Sequence, residues 1–363
     1  MDYIRQIDDP RKPSNGTLHS FEEIMVIALC AMLCEAEKFE DIAFWGRTKE
    51  TWLRRFLVLK NGIPSSYTFE RVFRILDPKG FESVFRQWVS GVVTALGGQI
   101  AVDGKTMRGS RDGENPPAHM VSAYATDLGL VIGQEKVYEK SNEITAIPVL
   151  LDALYIKGLL VSSDAMGCQK EIADKIVAKG ADYLLAVKGN QPKLHDRIAA
   201  AFMDKGEKLI SHQHLDPSHG RLVIQISHVM SAEGIVDTSI WRDCKTIGRI
   251  SSLRIVNDKA SDLETRYYIS SRELSAEELA VAARAHWGIE NRLHWMLDVN
   301  FGEDGCTVRK DNAPQNLSLL RKIVLNLIRC DTTDKTNTSL RRKRKRAAWD
   351  DDVRMSMLGL NPL

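Results

Sequence analysis

Three carboxylate residues occupy positions from which separate elements could bring them together. Two short apolar segments each run directly into an aspartate, Asp103 in one case and Asp164 in the other. A third acid, Glu290, follows far downstream in a segment with helical periodicity. Hard cations such as Mg²⁺ prefer oxygen ligands, and a pair of them can activate an attacking oxygen and stabilise a leaving one. The three acids together therefore predict metal-dependent phosphodiester chemistry.

Simpler interpretations exist for each of these residues. An aspartate at the end of a strand commonly caps a turn or a helix, and only the joint placement of the three acids favours a common site. His286, Glu290 and His294 recur at i, i+4 beside an apolar stripe. They lack the HExxH spacing of a zinc hydrolase. Gly288 inside this helix costs about 1 kcal/mol relative to alanine, which predicts close approach of another backbone or of substrate.

Composition limits the class of protein. The chain has 363 residues, of which 44% are hydrophobic and 27% charged, with a net charge of +2. Attraction to a polyanion must therefore come from local clusters of Lys and Arg. The six cysteines are scattered and read as reduced thiols. The longest apolar run, residues 24–34, is shorter than the roughly 20 residues of a membrane span, and no secretory signal opens the chain. We expect a cytoplasmic protein with no membrane contact.

The elements that must position the acids follow from periodicity. Residues 96–204 show the order β-β-β-α-β-α-β, which predicts an α/β fold with a mixed sheet flanked by helices. Active sites of such sheets gather at the carboxyl ends of strands. Capping boxes at Ser20 and Ser275 predict two helix starts. An N-terminal helical domain (1–95) is predicted before this core, where it braces the core or binds DNA. After the core we predict a β-rich insertion (205–272), the second part of the core with the glutamate helix (273–330) and a basic C-terminal tail (331–363).

Three motifs carry a family resemblance. The runs DGKTMRGS (103–110), DAMGCQ (164–169) and HWGIENRLHWMLDV (286–299) resemble the DDE transposases of bacterial insertion sequences, and more narrowly their H-repeat-associated group. The likeness extends over nearly the whole chain, from residues 9–11 to Arg329. It implies a ribonuclease H-like core, with the β-rich insertion placed before the catalytic glutamate helix.

The resemblance also implies an activity. Asp103, Asp164 and Glu290 would be the catalytic and metal-binding triad, holding two Mg²⁺ ions, with Mn²⁺ as a substitute. The enzyme would cut double-stranded DNA at the ends of its insertion sequence, and the freed 3′-hydroxyl would then attack target DNA. It would act as a homodimer or higher oligomer on DNA in the bacterial cytoplasm. A catalytically inactive DNA-binding remnant and a plain metal-dependent nuclease are the alternatives.

The chain departs from its wider relatives near the glutamate. The Tyr, Arg and Lys expected there are replaced by Ala283, His286 and Leu297, and Ser66-Tyr67 stands where this group has His-Asp. Other cationic residues must then bind the DNA ends. The alternative for each such residue is an ordinary solvated charge with no DNA contact. A run of six cations at residues 341–346 is the strongest local positive charge. The predicted DNA-binding residues are Lys105, Arg108, Lys188, His286, Arg292, His294, Arg341, Arg342 and Lys343.

Overall fold

The computed structural model describes residues 2–14, 17–93, 97–138, 142–205, 209, 211–217, 220–257, 259–332 and 338–360. The α-helices are α1 (Phe21–Leu33), α2 (Phe39–Thr48), α3 (Glu50–Leu53), α4 (Ser66–Ile75), α5 (Pro78–Val92), α6 (Glu143–Asp152), α7 (Lys170–Ala178), α8 (Pro192–Lys205), α9 (Ala276–Ile289), α10 (Trp295–Phe301), α11 (Ala313–Cys330), α12 (Leu340–Trp349) and α13 (Asp351–Leu358). The strands are β1 (Gln99–Thr106), β2 (His119–Ala125), β3 (Leu130–Val137), β4 (Leu160–Ser163), β5 (Asp182–Val187), β6 (Ser211–Asp216), β7 (Arg221–Ser231), β8 (Thr246–Val256), β9 (Lys259–Ala260) and β10 (Glu264–Ser270).

All ten described strands belong to one sheet. Its order is β3-β2-β1-β4-β5-β10-β8-β7-β6, with β9 paired to β8. Strands β1 to β3 form an antiparallel meander, and β4 and β5 run parallel to β1. The predicted ribonuclease H-like mixed sheet is therefore confirmed. The segment predicted as a β-rich insertion contains β6 to β10 and extends this sheet, because β10 pairs antiparallel with β5.

The register between β1 and β4 places the two aspartates side by side. The last paired residues are Val102 and Ser163, and Asp103 and Asp164 follow them on adjacent parallel strands. Strand β1 does not stop at Asp103, as its apolar run indicated, but continues to Thr106 through its pairing with β2. Asp103 is thus held by the sheet on one side and opens towards the site on the other.

Helix α9 covers one face of the sheet. Leu160 of β4 and Leu184 of β5 belong to a buried cluster with Leu279, Ala282 and Ala283 of α9. Side chains alternate between the two faces of a strand, so the residues after these leucines face the opposite layer, which α6 and α7 cover. The predicted capping box at the start of α9 is present, since Ser275 and Glu278 satisfy each other's backbone N–H groups.

The amino-terminal helices pack against α11 and, through α5, against β3 of the sheet. Asn316 of α11 is fully buried and donates to two backbone carbonyls at the end of α4. Most of the apolar run at residues 24–34 lies in the buried helix α1, which begins directly after Ser20 as predicted. Its predicted capping box is wrong: Ser20 makes no side-chain cap, and Glu23 instead accepts from the backbone N–H of Leu59 at 2.6 Å.

None of the described helices combines the length and apolar character needed to cross a membrane. The predicted boundary at residue 95 lies outside the described residues.

The carboxyl-terminal segment expected to be a basic tail forms α12 and α13, which pack on α1 and α11. Arg344 in the middle of the basic run is 3% exposed and donates to the Met32 carbonyl. Its guanidinium also lies 4.2 Å from the centre of the Phe301 ring. Part of this basic run therefore stabilises the fold.

Candidate active site

Two aspartates lie at one edge of the sheet. Asp103 is 9% exposed. Asp164 lies in the turn after β4, and one carboxylate oxygen accepts backbone N–H groups from Met166 at 3.0 Å and Gly167 at 3.3 Å. These two bonds orient the Asp164 carboxylate while leaving its other oxygen available. A short parallel strand and a turn thus present two acids from neighbouring positions.

The third acid is presented by an irregular helix. Helix α9 ends at Ile289 and passes into a single π-helical turn, Glu290–His294, before α10 begins. Such π-turns are rare and occur frequently at functional sites. Glu290 is the first residue of the turn, and its side chain is 53% exposed. The extra residue in the turn re-aims the side chains that follow, so that His294 also faces the site.

The three acids converge as predicted. Ligand atoms of Asp103, Glu290 and His294 all lie within 4.8 Å of one another, and so do those of Asp103, Glu143 and Asp164. Asp103 is common to both groups. A cavity of about 160 Å³ is lined by all three predicted acids. The fold therefore brings carboxylates from β1, the β4 turn and the glutamate helix to one cavity, with Asp103 between the other two.

Crowding of these carboxylates perturbs their proton affinities. Burial, followed by the charges of Asp164 and Glu290, raises the pKa of Asp103 to about 8. Burial also raises the pKa of Asp164, against the opposing effect of its two backbone hydrogen bonds. The hydrogen bond from His294 lowers the pKa of Glu290. Close like charges in a partly dry site need a counter-cation to stay ionised together, and this oxygen-rich donor set fits a divalent metal.

His294 is built into the acidic cluster. Its Nδ1 lies 3.6 Å from an oxygen of Asp103 and 3.4 Å from an oxygen of Glu290, and its side chain is 7% exposed. The other ring nitrogen is buried and has no hydrogen-bond partner among the described residues. This burial makes His294 part of the acidic cluster, and its predicted contact with DNA stays a prediction.

The sequence reading missed Glu143, the first residue of α6. Its carboxylate joins those of Asp103 and Asp164, and its side chain is 16% exposed. A glutamate in the first turn of a helix is ordinary for its favourable interaction with the helix dipole. Nothing in its local sequence therefore distinguished it from a solvated residue.

The predicted DNA-binding residues fall into distinct places. Lys188 and His286 line the cavity with the acids. His286 hydrogen-bonds with Ser162 at 3.1 Å, and burial lowers the pKa of its imidazole to about 4, so near neutral pH it offers a hydrogen bond and no charge. Lys105 pairs with Asp298 at 2.7 Å.

The remaining predicted cations lie away from the cavity. Arg292 lines a larger adjacent groove. The Arg108 side chain is 82% exposed. Arg341 and Arg342 are exposed on α12, and Lys343 is held 3.6 Å from a carboxylate oxygen of Asp331.

The adjacent groove opens between α9 and strands β7, β8 and β10, with a volume of about 1170 Å³. Arg266 and Trp287 line both this groove and the cavity. The Arg266 guanidinium lies 4.4 Å from the centre of the Trp287 ring. Gly288 lines the groove, and a Cβ there would meet only the Arg292 side chain, at 4.0 Å. No other backbone among the described residues approaches Gly288, and the glycine faces the open groove, so of the two predicted reasons for it only close approach of substrate stays a prediction.

Comparisons with known proteins agree with this architecture. A family model described as Transposase DDE domain matches residues 95–327, and one described as DDE_Tnp_1-associated matches residues 1–89. The chain belongs to the DDE transposase family. It is 39% identical over 370 residues to the H repeat-associated putative transposase YhhI of Escherichia coli strain K12, covering 99% of this chain and 97% of the relative. It is 40% identical over 359 residues to the Putative transposase YncI of Escherichia coli O157:H7, covering 96% and 91%.

One solved structure is also similar, the piggyBac transposase synaptic complex with hairpin DNA. It matches with a TM-score of 0.44 at 10% identity, covering 98% of this chain and 75% of that chain. That likeness is too loose to carry an inference about this chain. The predicted resemblance to H-repeat-associated transposases is confirmed by the family and the relatives.

Proposed function

We propose that this transposase is catalytically active, cutting DNA at the ends of its insertion sequence and joining the freed 3′-hydroxyl to target DNA. The observation that carries the proposal is the convergence of Asp103, Asp164 and Glu290 around one cavity. Asp103, shared between the two groups of ligand atoms, would contact both of two divalent ions. Mg²⁺ is the ion that such oxygen ligands favour, with Mn²⁺ as a substitute.

When bound, these ions would supply Lewis-acid activation of the attacking hydroxyl and charge stabilisation of the leaving oxygen. The chain's own residues prepare the site for them. Backbone N–H groups orient Asp164, and His294 orients Glu290 and helps to keep it ionised. Lys188 is exposed at the rim of the cavity, where its ammonium can meet a backbone phosphate.

We propose double-stranded DNA, both element ends and target, as the partner. Arg266 and Trp287 line both the groove and the cavity, so the groove offers a path along which a DNA strand could reach the acids. Its lining includes five arginines and four carboxylates, so the groove carries little net positive charge. DNA would be held there mainly by hydrogen bonds from individual side chains to phosphates. Cutting and joining two ends requires two active sites, which favours a homodimer or higher oligomer on DNA in the bacterial cytoplasm.

The test uses the full chain with labelled linear DNA that carries the inverted repeats flanking its coding region. With Mg²⁺, the wild type should nick at the repeat ends and join them to a supercoiled target. Asp164→Asn should lower both reactions by at least about 100-fold, because the loss of a residue that only supports a metal ligand already costs about 10–100-fold. Asp174→Asn is the control, since Asp174 is an exposed carboxylate on α7. Folding and DNA binding of both variants are checked by circular dichroism and fluorescence anisotropy.

Three outcomes would contradict the proposal. Nicking by Asp164→Asn at the wild-type rate would show that the site assignment is wrong. A wild-type protein that binds the ends but cuts with neither Mg²⁺ nor Mn²⁺ would be an inactive DNA-binding remnant. Cutting without any joined product would identify a plain nuclease.

A further inference from the structure

Glu143 is a fourth carboxylate at the site, and its position is fixed by a chain of contacts. An oxygen of Glu143 lies 2.7 Å from His119 Nε2, and His119 Nδ1 lies 2.7 Å from the Thr106 hydroxyl. Thr106 and His119 are direct partners in the β1–β2 register. The side chain of Asn142 caps α6 by accepting the Ile144 N–H at 3.0 Å. The carboxylate is therefore held from its tip and from its helix, unlike a solvated acid at a helix start.

Gly104, the residue after Asp103, makes room for this arrangement. A Cβ at position 104 would lie 2.1 Å from a carboxylate oxygen of Glu143 and 2.5 Å from His119 Nε2. Both of those atoms belong to side chains, so an alanine at position 104 would push the Glu143 carboxylate and the His119 ring aside. The strand that carries Asp103 thus also admits Glu143 to the site.

We propose that Glu143 is a metal ligand, and that the centre comprises two unlike cation positions that share Asp103. The inference rests on the proposed function and specifies its metal centre. One position has only carboxylate donors, from Asp103, Glu143 and Asp164. The other combines Asp103 and Glu290 with an imidazole nitrogen of His294. We name them the carboxylate position and the mixed position.

The donor sets predict different ion preferences. Carboxylate oxygens suit Mg²⁺ and Mn²⁺, whereas imidazole increases affinity for later transition metals such as Co²⁺. The buried imidazole of His294 places its Nδ1 3.6 Å from an oxygen of Asp103 and 3.4 Å from an oxygen of Glu290, where Nδ1 can serve as a ligand together with them. The mixed position should therefore prefer Co²⁺ over Mg²⁺ more strongly than the carboxylate position does.

Direct ion binding tests the assignment without DNA. Free Mn²⁺ is measured by electron paramagnetic resonance during titration of the full-length protein. The wild type should bind two equivalents. Glu143→Gln should weaken one of them by about 10–100-fold and leave the other unchanged, and Glu290→Gln should weaken the other. Asp152→Asn, at the far end of α6 where Asp152 pairs with Lys175, is the matched control and should bind as the wild type.

Gly104→Ala gives an independent test that changes no charge. It should weaken the same equivalent as Glu143→Gln, because the added methyl displaces the Glu143 carboxylate. Competition with Co²⁺ should show a stronger preference in Glu143→Gln, which retains the mixed position, than in Glu290→Gln. Wild-type binding of Mn²⁺ by Glu143→Gln, no Mn²⁺ binding by the wild type, or equal Co²⁺ preferences in the two variants would each overturn the inference.

The two proposals can fail separately. If Asp164→Asn abolishes DNA cleavage while Glu143→Gln binds Mn²⁺ and cuts as the wild type, the inference is wrong and the proposed function stands. If two Mn²⁺ ions bind as described but the wild type never cuts its ends, the proposed function is wrong and the two-position centre stands.

Discussion

Glu82 should make the free energy of unfolding depend on pH. This residue of α5 is 5% exposed and lies where the amino-terminal helices meet the sheet. One carboxylate oxygen accepts the Gln134 N–H at 2.9 Å, and the other has no hydrogen-bond partner among the described residues. Burial raises the pKa of Glu82 from 4.5 to about 7, although Gln134 and Arg86 oppose the change. The folded protein therefore binds a proton here that the unfolded chain releases.

The sign and size follow from proton linkage. Because the pKa is raised in the folded state, the stabilising contribution is complete below about pH 4.5 and is lost as pH rises through about 7. The change from 4.5 to about 7 corresponds to about 3 kcal/mol. Glu82→Gln keeps a carbonyl acceptor for Gln134 and cannot ionise. We expect this variant to be more stable than the wild type by about 3 kcal/mol at pH 8 and by less than about 1 kcal/mol at pH 5.

Urea denaturation at pH 5, 6, 7 and 8, followed by tryptophan fluorescence, measures this difference. Glu171→Gln on the exposed face of α7 is the control, and its difference from the wild type should not change with pH. A difference between Glu82→Gln and the wild type that is the same at pH 5 and pH 8 would refute the reasoning. The same experiment tests whether the amino-terminal helices brace the core, because Glu82 contacts the sheet only when they are docked.

Four further substitutions address the brace, the basic run and the groove. Asn316→Ala should lower the free energy of unfolding by about 2 kcal/mol, because the buried Phe73 carbonyl loses this donor and the Leu76 carbonyl keeps only the one from Asn312. A urea midpoint that stayed at its wild-type value would contradict this. Arg344→Ala should lower the free energy of unfolding by about 3 kcal/mol. Arg341→Ala should change it by no more than about 0.5 kcal/mol and should weaken DNA binding. If urea denaturation and fluorescence anisotropy gave the reverse ranking, the basic run would not be divided in this way. Arg266→Ala should weaken binding of the element ends and reduce the salt slope by about 1, and an unchanged slope would exclude a phosphate contact beside Trp287.

Local signals in the sequence were sufficient for most elements and for the acidic triad. The predicted order β-β-β-α-β-α-β matches β1, β2, β3, α6, β4, α7 and β5, after which α8 follows. The Ser275 capping box formed because its partners lie three residues apart and need only a helical turn to meet. Asp103 and Asp164 were placed at one edge because parallel strands share a carboxyl end.

Contacts between distant segments could not be read in the same way. At Ser20 the expected cap is absent because the Glu23 carboxylate accepts the backbone N–H of Leu59, which belongs to another segment. The buried state of Arg344 depends on how α12 docks on α1, since every cation of the run is locally equivalent. The role of Glu143 depends on the β1–β2 register that faces Thr106 with His119. Hydrogen bonds within one turn follow from neighbouring residues, whereas register and docking depend on the burial of the whole chain. Register and docking placed the Glu143 carboxylate beside those of Asp103 and Asp164.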